Sequence, residues 1–424
     1  MNRQKTASPY VVRFFSVLMS AIALAGVAAF AARAKLESQY KAAAHRVCSL
    51  VSENYHRRYE PETRAFVSQC HREAEDQEFL SSRAENIDRV NGRLEVLRSS
   101  HLSVYSPVEN RQMWDNQALD TGLRSRMVED HLVVFRILPG SAGDKAGFKL
   151  GDSILSVNGH EVGSSQLVQS SAGLYKILRA GSEEIQINLE PEELQEDMSA
   201  ELTDMGRGSG LLRIPSFLSQ YFDKIEVQAL AQKLSRFDHL VIDLRDNAGG
   251  SFPAMLRALS PFRCDARLVG WVVRPASREL QAEQDLLDDL DAKSQLQQLN
   301  TSAKLNLRTF TDYGCYKGRV TVLIDSGTSS VAEIFAQAFF SRPRSRVWGQ
   351  PSAGQVVMAQ WFPLGEFGSE AFTLAIPIAR YESTDGAVLE EKGVYPELSL
   401  FYDLESSLSG RDSWVDSALK NVSF

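Results

Sequence analysis

A chain of 424 residues exceeds one ordinary hydrophobic core, so two or three domains are expected. Hydrophobic residues make up 43% and charged residues 24%, a globular composition rather than a disordered or fibrous one. A net charge of -8, without a Lys/Arg stripe, zinc-finger spacing or phosphate loop, argues against nucleic-acid partners and leaves no metal-ligand set.

Arg3, Lys5 and Arg13 precede an uncharged stretch from Phe14 to Ala32, and Ala29-Phe30-Ala31 offers a small-x-small cleavage site. Residues 1–34 read as a secretory signal peptide, with an uncleaved membrane anchor through 11–34 as the alternative. Either reading exports the rest, to a periplasmic or extracellular compartment. An oxidising compartment suggests that the four cysteines form two disulfides. Cys48 with Cys70 would staple an N-terminal helical hairpin, and Cys264 with Cys315 would flank a polar insert. Four cysteines allow three pairings, and buried free thiols remain the alternative.

Residues 35–98 read as helices, rich in Ala and Leu with Pro61 as the only proline. Packing or self-association is their default role, which makes a homo-oligomer a candidate assembly. Residues 99–118 would begin the core. From 119 to 192 the texture turns to short β-rich runs punctuated by Gly140, Gly143, Gly147 and Gly151. Asn158-Gly159 between apolar runs is a hairpin signal. The stretch "AGFKLGDSILSVNG" resembles the turn-and-strand core of PDZ domains. That resemblance implies an extended C-terminal peptide as ligand, its carboxylate held by the backbone of Gly122, Leu123 and Arg124. The alternative is a module that only hinges or gates.

Residues 205–403 alternate strand and helix. "HLVIDLRD" and "RVTVLID" are continuous apolar strands of the kind buried between helices. The acidic, Gln/Leu-rich segment 277–306 reads as a helical surface insert, and 404–424 as a C-terminal tail.

"IDSGTSSVAEIF" places Ser330 where a buried strand turns sharply into a helix. The unpaired N–H groups of a helix start carry partial positive charge, so the Val331 N–H could meet an oxyanion. A plain N-cap is the competing reading. "LVIDLRDNAGG" ends a second strand in Gly249 and Gly250, whose backbone could supply another donor. Arg245 and Asp246 would brace that turn.

Taken in order, "HLVIDLRDNAGG", "VTVLIDSGTSSVAEIFAQAF", "VWGQPSAG" and "LEEKGVYPEL" resemble the C-terminal processing, or tail-specific, serine proteases and their tricorn relatives, over roughly residues 100–400. The resemblance implies a multidomain α+β protein. Its α/β core would be ClpP/crotonase-like, with an inserted β-rich PDZ-like domain and an N-terminal helical region. It implies an exported serine endopeptidase acting on polypeptides through an acyl-enzyme, without a cofactor. Glu333 fixes the nucleophile as Ser330. The processing proteases carry a lysine base 25 residues on, but that position is Gln355, whose amide cannot take a proton near neutral pH. The tricorn branch instead uses a Ser-His pair and a glutamate. "RSSHLSVYS" supplies Ser100 and His101, and "EEKGVYPE" supplies Glu390. The implied assignments are Ser330 as nucleophile, His101 as base, Glu390 as orienting carboxylate and Ser100 as its support. Val331 with Gly249 or Gly250 would form the oxyanion hole. The alternative is an inactive, PDZ-bearing binding protein on the same core.

Overall fold

The computed structural model describes residues 9–76, 83–115, 117–180, 182–275, 281–367 and 370–420. The chain divides into two compact units. The first takes Met1–Pro107 with Gln360–Ile376, the second Val108–Ala359 with Pro377–Phe424.

The first unit is built on helices Pro9–Asn54, Pro61–Asp76 and Arg83–Leu94. Pro61 opens the second helix, where its missing N–H leaves no partner stranded. Cys48 and Cys70 join the first two helices through a disulfide. One helix runs unbroken through the boundary near residue 34 that composition had drawn. Among the described residues no helix is long and apolar enough to cross a membrane, and residues 1–8 of the signal segment lie outside them. The strand Ser103–Tyr105 pairs antiparallel with Thr373–Ala375. It is pinned to the third helix by the Asn91 amide, which accepts from Val104 N–H at 2.7 Å and donates to Val104 O at 3.1 Å.

Within the second unit, strands Leu123–Val128, His131–Ile137, Ser153–Val157, Gly173–Arg179 and Glu183–Leu189 form an antiparallel sheet in that order. Its core gathers Leu123, Val134, Phe148, Tyr175 and Ile177. Asn158 (φ 53°) and Gly159 (φ 80°) make the two-residue turn that their sequence announces. The strands that enter and leave this module, Gln117–Asp120 and Glu192–Gln195, pair with each other antiparallel.

The second sheet runs Glu201–Gly206, Ser209–Arg213, His239–Asp243, Arg319–Ile324, Ser345–Gly349, Leu398–Ser399, antiparallel at its first pairing and parallel thereafter. His239–Asp243 is buried along its whole length, as its apolar run predicts. Helices Phe252–Arg263 and Val331–Ala338 pack on it through a contiguous group of Phe217, Phe262, Phe335 and Phe339. Cys264 and Cys315 form the second disulfide.

The 277–306 insert departs from the helical expectation. Only Ala292–Thr301 is helical. Gln281–Asp285 pairs parallel with Ser302–Arg308, which in turn joins Leu268–Val273, and residues 276–280 lie outside the described residues. Nor is 404–420 an appended tail. Helix Ser413–Lys420 buries Trp414 completely, stacked on Tyr402 at 4.4 Å and packed with Val241, Leu323 and Trp348.

Candidate active site

Two turns meet at the carboxyl ends of the adjacent parallel strands His239–Asp243 and Arg319–Ile324, the end of an open α/β sheet where ligands bind. Backbone bonds lock them together. Leu244 N–H donates to Leu323 O at 3.0 Å and Ser329 N–H to Asn247 O at 2.9 Å, while Thr328 Oγ1 donates to Leu244 O at 2.8 Å. Arg245 braces the first turn as expected: buried, it is paired to Asp243 and Asp412 at 2.7 Å each. Asp325 closes the second turn by accepting from the N–H groups of Asp246, Gly327 and Thr328. Burial first, then the neighbouring Asp246 charge, raises its pKa to about 6.

Ser330 stands at the junction of this second turn with helix Val331–Ala338. Its backbone lies at φ 59°, ψ −131°, a conformation that costs a non-glycine residue about 1–3 kcal/mol. An ordinary N-cap has extended backbone and a side chain bonded to the helix. Here Ser330 and Glu333 form a capping box on that unusual backbone. In it Glu333 accepts from the Ser330 N–H at 3.0 Å.

Gly249 lies against Ser330. A Cβ at Gly249 would fall 2.6 Å from Ser330 Cβ and 3.0 Å from its Oγ, and the residue has φ +95°. Only glycine fits. Its N–H, however, donates to Asn247 Oδ1 at 2.8 Å, so this amide is already committed and is not available as an oxyanion donor. The N–H groups of Gly250 and Val331 donate to no group among the described residues. Gly250 is held by bonds from its neighbours: Phe217 N–H to Gly249 O at 2.7 Å, and Ser251 N–H to Phe217 O at 2.8 Å.

Glu333 is fully buried and joins the rest of the site. Its Oε1 accepts from Ser352 Oγ at 2.6 Å and Gly354 N–H at 2.8 Å, and its Oε2 from Gln355 N–H at 2.9 Å as well as Ser330 N–H. Burial raises its pKa even though all four bonds act in the opposite sense. The next amide, Val356 N–H, donates to Glu390 Oε2 at 2.6 Å. Glu390 is thus linked to Ser330 through consecutive amides of one short segment. Glu391 N–H closes the same loop on Gly354 O at 2.8 Å. Gln355 itself is exposed.

His101 and Ser100 belong to the first unit. His101 Nδ1 is 3.1 Å from Ser100 Oγ, its φ is +60°, and burial lowers its pKa below 6.5. The anticipated peptide-carboxylate loop is occupied by the chain itself. Gly122 N–H donates to Asp120 Oδ1 at 2.6 Å and Leu123 N–H to Thr121 Oγ1 at 3.2 Å, while Arg124 pairs with Asp120 and Glu196. Among the described residues no cluster could hold a metal ion.

Sequence reasoning used Glu333 only to set the register and gave no role to Asn247 or Ser352. The Ser-x-x-Glu spacing is the signal that could have exposed Glu333. Ser352 acts through Glu333, distant in the chain, whereas Asn247 both donates to Ile214 O at 2.7 Å and accepts locally from the Gly249 N–H.

A serine on a strained strand-to-helix turn, with a glycine pressed against it and two uncommitted amides beside it, is the layout of an α/β serine hydrolase. Residues 208–400 match the model of peptidase family S41. The chain is 24% identical over 281 residues to carboxyl-terminal-processing peptidase 2, chloroplastic, of Arabidopsis thaliana, covering 63% of this chain and 49% of that protein. It is 23% identical over 287 residues to a carboxyl-terminal-processing protease of Synechocystis sp., covering 63% and 58%. The chain therefore spans about half the length of these relatives. Its fold matches that of mature CPAF with a TM-score of 0.60 at 13% identity, covering 91% of this chain and 96% of that one. These likenesses are to peptidase family S41 over 208–400 and to carboxyl-terminal-processing proteases over a wider span.

Proposed function

We propose that the protein is an exported serine endopeptidase that cleaves unfolded or tail-exposed polypeptides. Ser330 Oγ attacks the scissile carbonyl while His101 accepts its proton. Glu390 orients the imidazole, and Ser100 supports the pair. The N–H groups of Val331 and Gly250, rather than Gly249, receive the oxyanion. His101 then protonates the leaving amine, and an activated water hydrolyses the acyl-enzyme. The chemistry needs no metal or organic cofactor. The lowered pKa of His101 favours the neutral ring that a base requires. Residues 119–192 serve as a PDZ-like module that binds or gates the chain to be cut, inserted in a ClpP/crotonase-like core.

The observation that carries this reading is the Ser330 backbone at φ 59°, ψ −131°, held against Gly249 at the start of the helix. The test is hydrolysis of an unstructured polypeptide by the purified protein and by Ser330→Ala. Activity of the wild type alone, with a fluorophosphonate adduct on Ser330, is expected. Equal rates would overturn the assignment.

Gln355 at the position of the processing-protease lysine favours a second reading, an inactive binding protein on the same core. It predicts no fluorophosphonate adduct but measurable binding of C-terminal peptides.

A further inference from the structure

A cavity of about 210 Å³ in the second unit is lined by Arg124, Arg136 and Arg213, with Glu196, Asp246 and Ser125 among its other walls. The three cations are not equivalent. Arg124 pairs with Asp120 at 2.9 Å and Glu196 at 2.6 Å, and Arg136 with Glu196 at 2.8 Å and Glu201 at 2.9 Å. Arg213 makes no side-chain hydrogen bond and no ion pair among the described residues. Burial, and then the Arg136 charge, lower its pKa, although the charges of Asp243, Glu201 and Glu196 act against the fall.

A second group points the same way. Ser125 is only 5% exposed, and its Oγ has no hydrogen-bond partner. A buried hydroxyl left unpaired costs about 1–3 kcal/mol. The cavity therefore offers two unsatisfied donors, one of them charged, and its walls carry three cations against two carboxylates.

We infer that this cavity is a binding site for a carboxylate of the polypeptide ligand, with the Arg213 guanidinium and the Ser125 hydroxyl as its donors. A carboxylate fits bidentately the guanidinium fork that no hydrogen bond occupies. Arg213 ends the strand Ser209–Arg213 in register with Asp243. Four residues later Phe217 bridges to Gly250, next to the glycine that touches Ser330. The anion site and the serine thus lie along one stretch of backbone. The Gly122–Leu123 loop cannot serve the same purpose while its amides are bonded to Asp120 and Thr121. The choice of a peptide as ligand rests on the peptidase reading; the existence of the anion site does not.

The test measures binding, not turnover, using the full-length Ser330→Ala protein. Four labelled peptides of one sequence combine a free or amidated C-terminus with an internal glutamate or glutamine. Their affinities are compared on the Ser330→Ala background and on the same background with Arg213→Gln or Ser125→Ala. Loss of one charge-assisted bond corresponds to about 10- to 100-fold. The expected result is a loss of that size for Arg213→Gln, confined to carboxylate-bearing peptides, with a smaller loss for Ser125→Ala. Confinement to free C-termini identifies the α-carboxylate; confinement to internal glutamate identifies an acidic side chain. Equal weakening of all four peptides by either variant, no change in any, or no binding of any carboxylate peptide would overturn the site. Thermal melts show whether the variants are folded, and Ser125→Ala decides the matter if Arg213→Gln is not. A wild type without proteolytic activity whose Ser330→Ala form still shows the Arg213-dependent preference would sink the peptidase reading and leave this one standing.

Discussion

Gly249 and Ser330 are so closely opposed that a single methyl group on the glycine would sit 2.6 Å from the serine Cβ. The two residues come from different strand–helix turns, so their contact fixes one turn on the other. Gly249→Ala adds that methyl and also demands φ +95° of an alanine. A displacement of about 1 Å at a nucleophile costs about 100-fold in rate. Peptidase activity is expected to fall by about that factor, with a parallel loss of fluorophosphonate labelling and a circular-dichroism spectrum close to wild type.

Glu333→Gln tests the buried carboxylate at the centre of the site. An amide has one acceptor oxygen, so its NH2 must face donors that the carboxylate now accepts from. Losing even one or two charge-assisted bonds destabilises by about 2–4 kcal/mol. Urea unfolding should show a lower midpoint with an unchanged slope. A midpoint equal to wild type would mean that these bonds contribute nothing net.

Asp325 gives stability a pH dependence. Its folded pKa of about 6 lies above the ordinary 3.8, so between those values the folded protein binds more protons than the unfolded chain. Its contribution is full below about pH 4 and is lost as pH rises through 6. All four bonds that Asp325 accepts go to Oδ1, which an asparagine can retain. Asp325→Asn should therefore flatten the decline in melting temperature across this window. An identical decline in the variant would reassign it to another group.

The proposal of His101 as base ties the activity profile to its lowered pKa. A histidine whose charged form is disfavoured by burial stays neutral to lower pH. The acid limb of log kcat/KM should have its midpoint below 6.5, and a midpoint above 6.5 would argue against His101 as the base.

Reducing the Cys264–Cys315 bridge, which spans 51 residues, releases a long loop in the unfolded chain. The entropic account of cross-links puts its contribution at about 4 kcal/mol. The double variant Cys264→Ser, Cys315→Ser should lower the melting temperature by several degrees, and a shift of under one degree would refute that contribution.

Much of this was legible in the sequence because the relevant signals are local. His239–Asp243 and Arg319–Ile324 are dominated by Leu, Val and Ile on both faces, which suits strands covered on both sides. Asn158-Gly159 fixes its own turn, and the small residues before Val331 mark a strand-to-helix junction. What sequence could not disclose depends on partners far along the chain. Asn247 is a local exception, since it takes the Gly249 amide two residues on, as Asx turns do. Glu333 gathers donors from Ser352, Gly354 and Gln355, about twenty residues on. Gln281–Asp285 is polar but for Ala282 and becomes a strand by pairing with Ser302–Asn306, a case of tertiary context overriding propensity.

The pairing of Gln117–Asp120 with Glu192–Gln195 makes the β-rich module a cartridge on a two-stranded stalk. Gln117 faces Gln195 directly across the ladder, a separation of about 5 Å that a two-residue turn can close. The module can therefore be excised by cutting at the stalk without rethreading the sheet that carries Ser330.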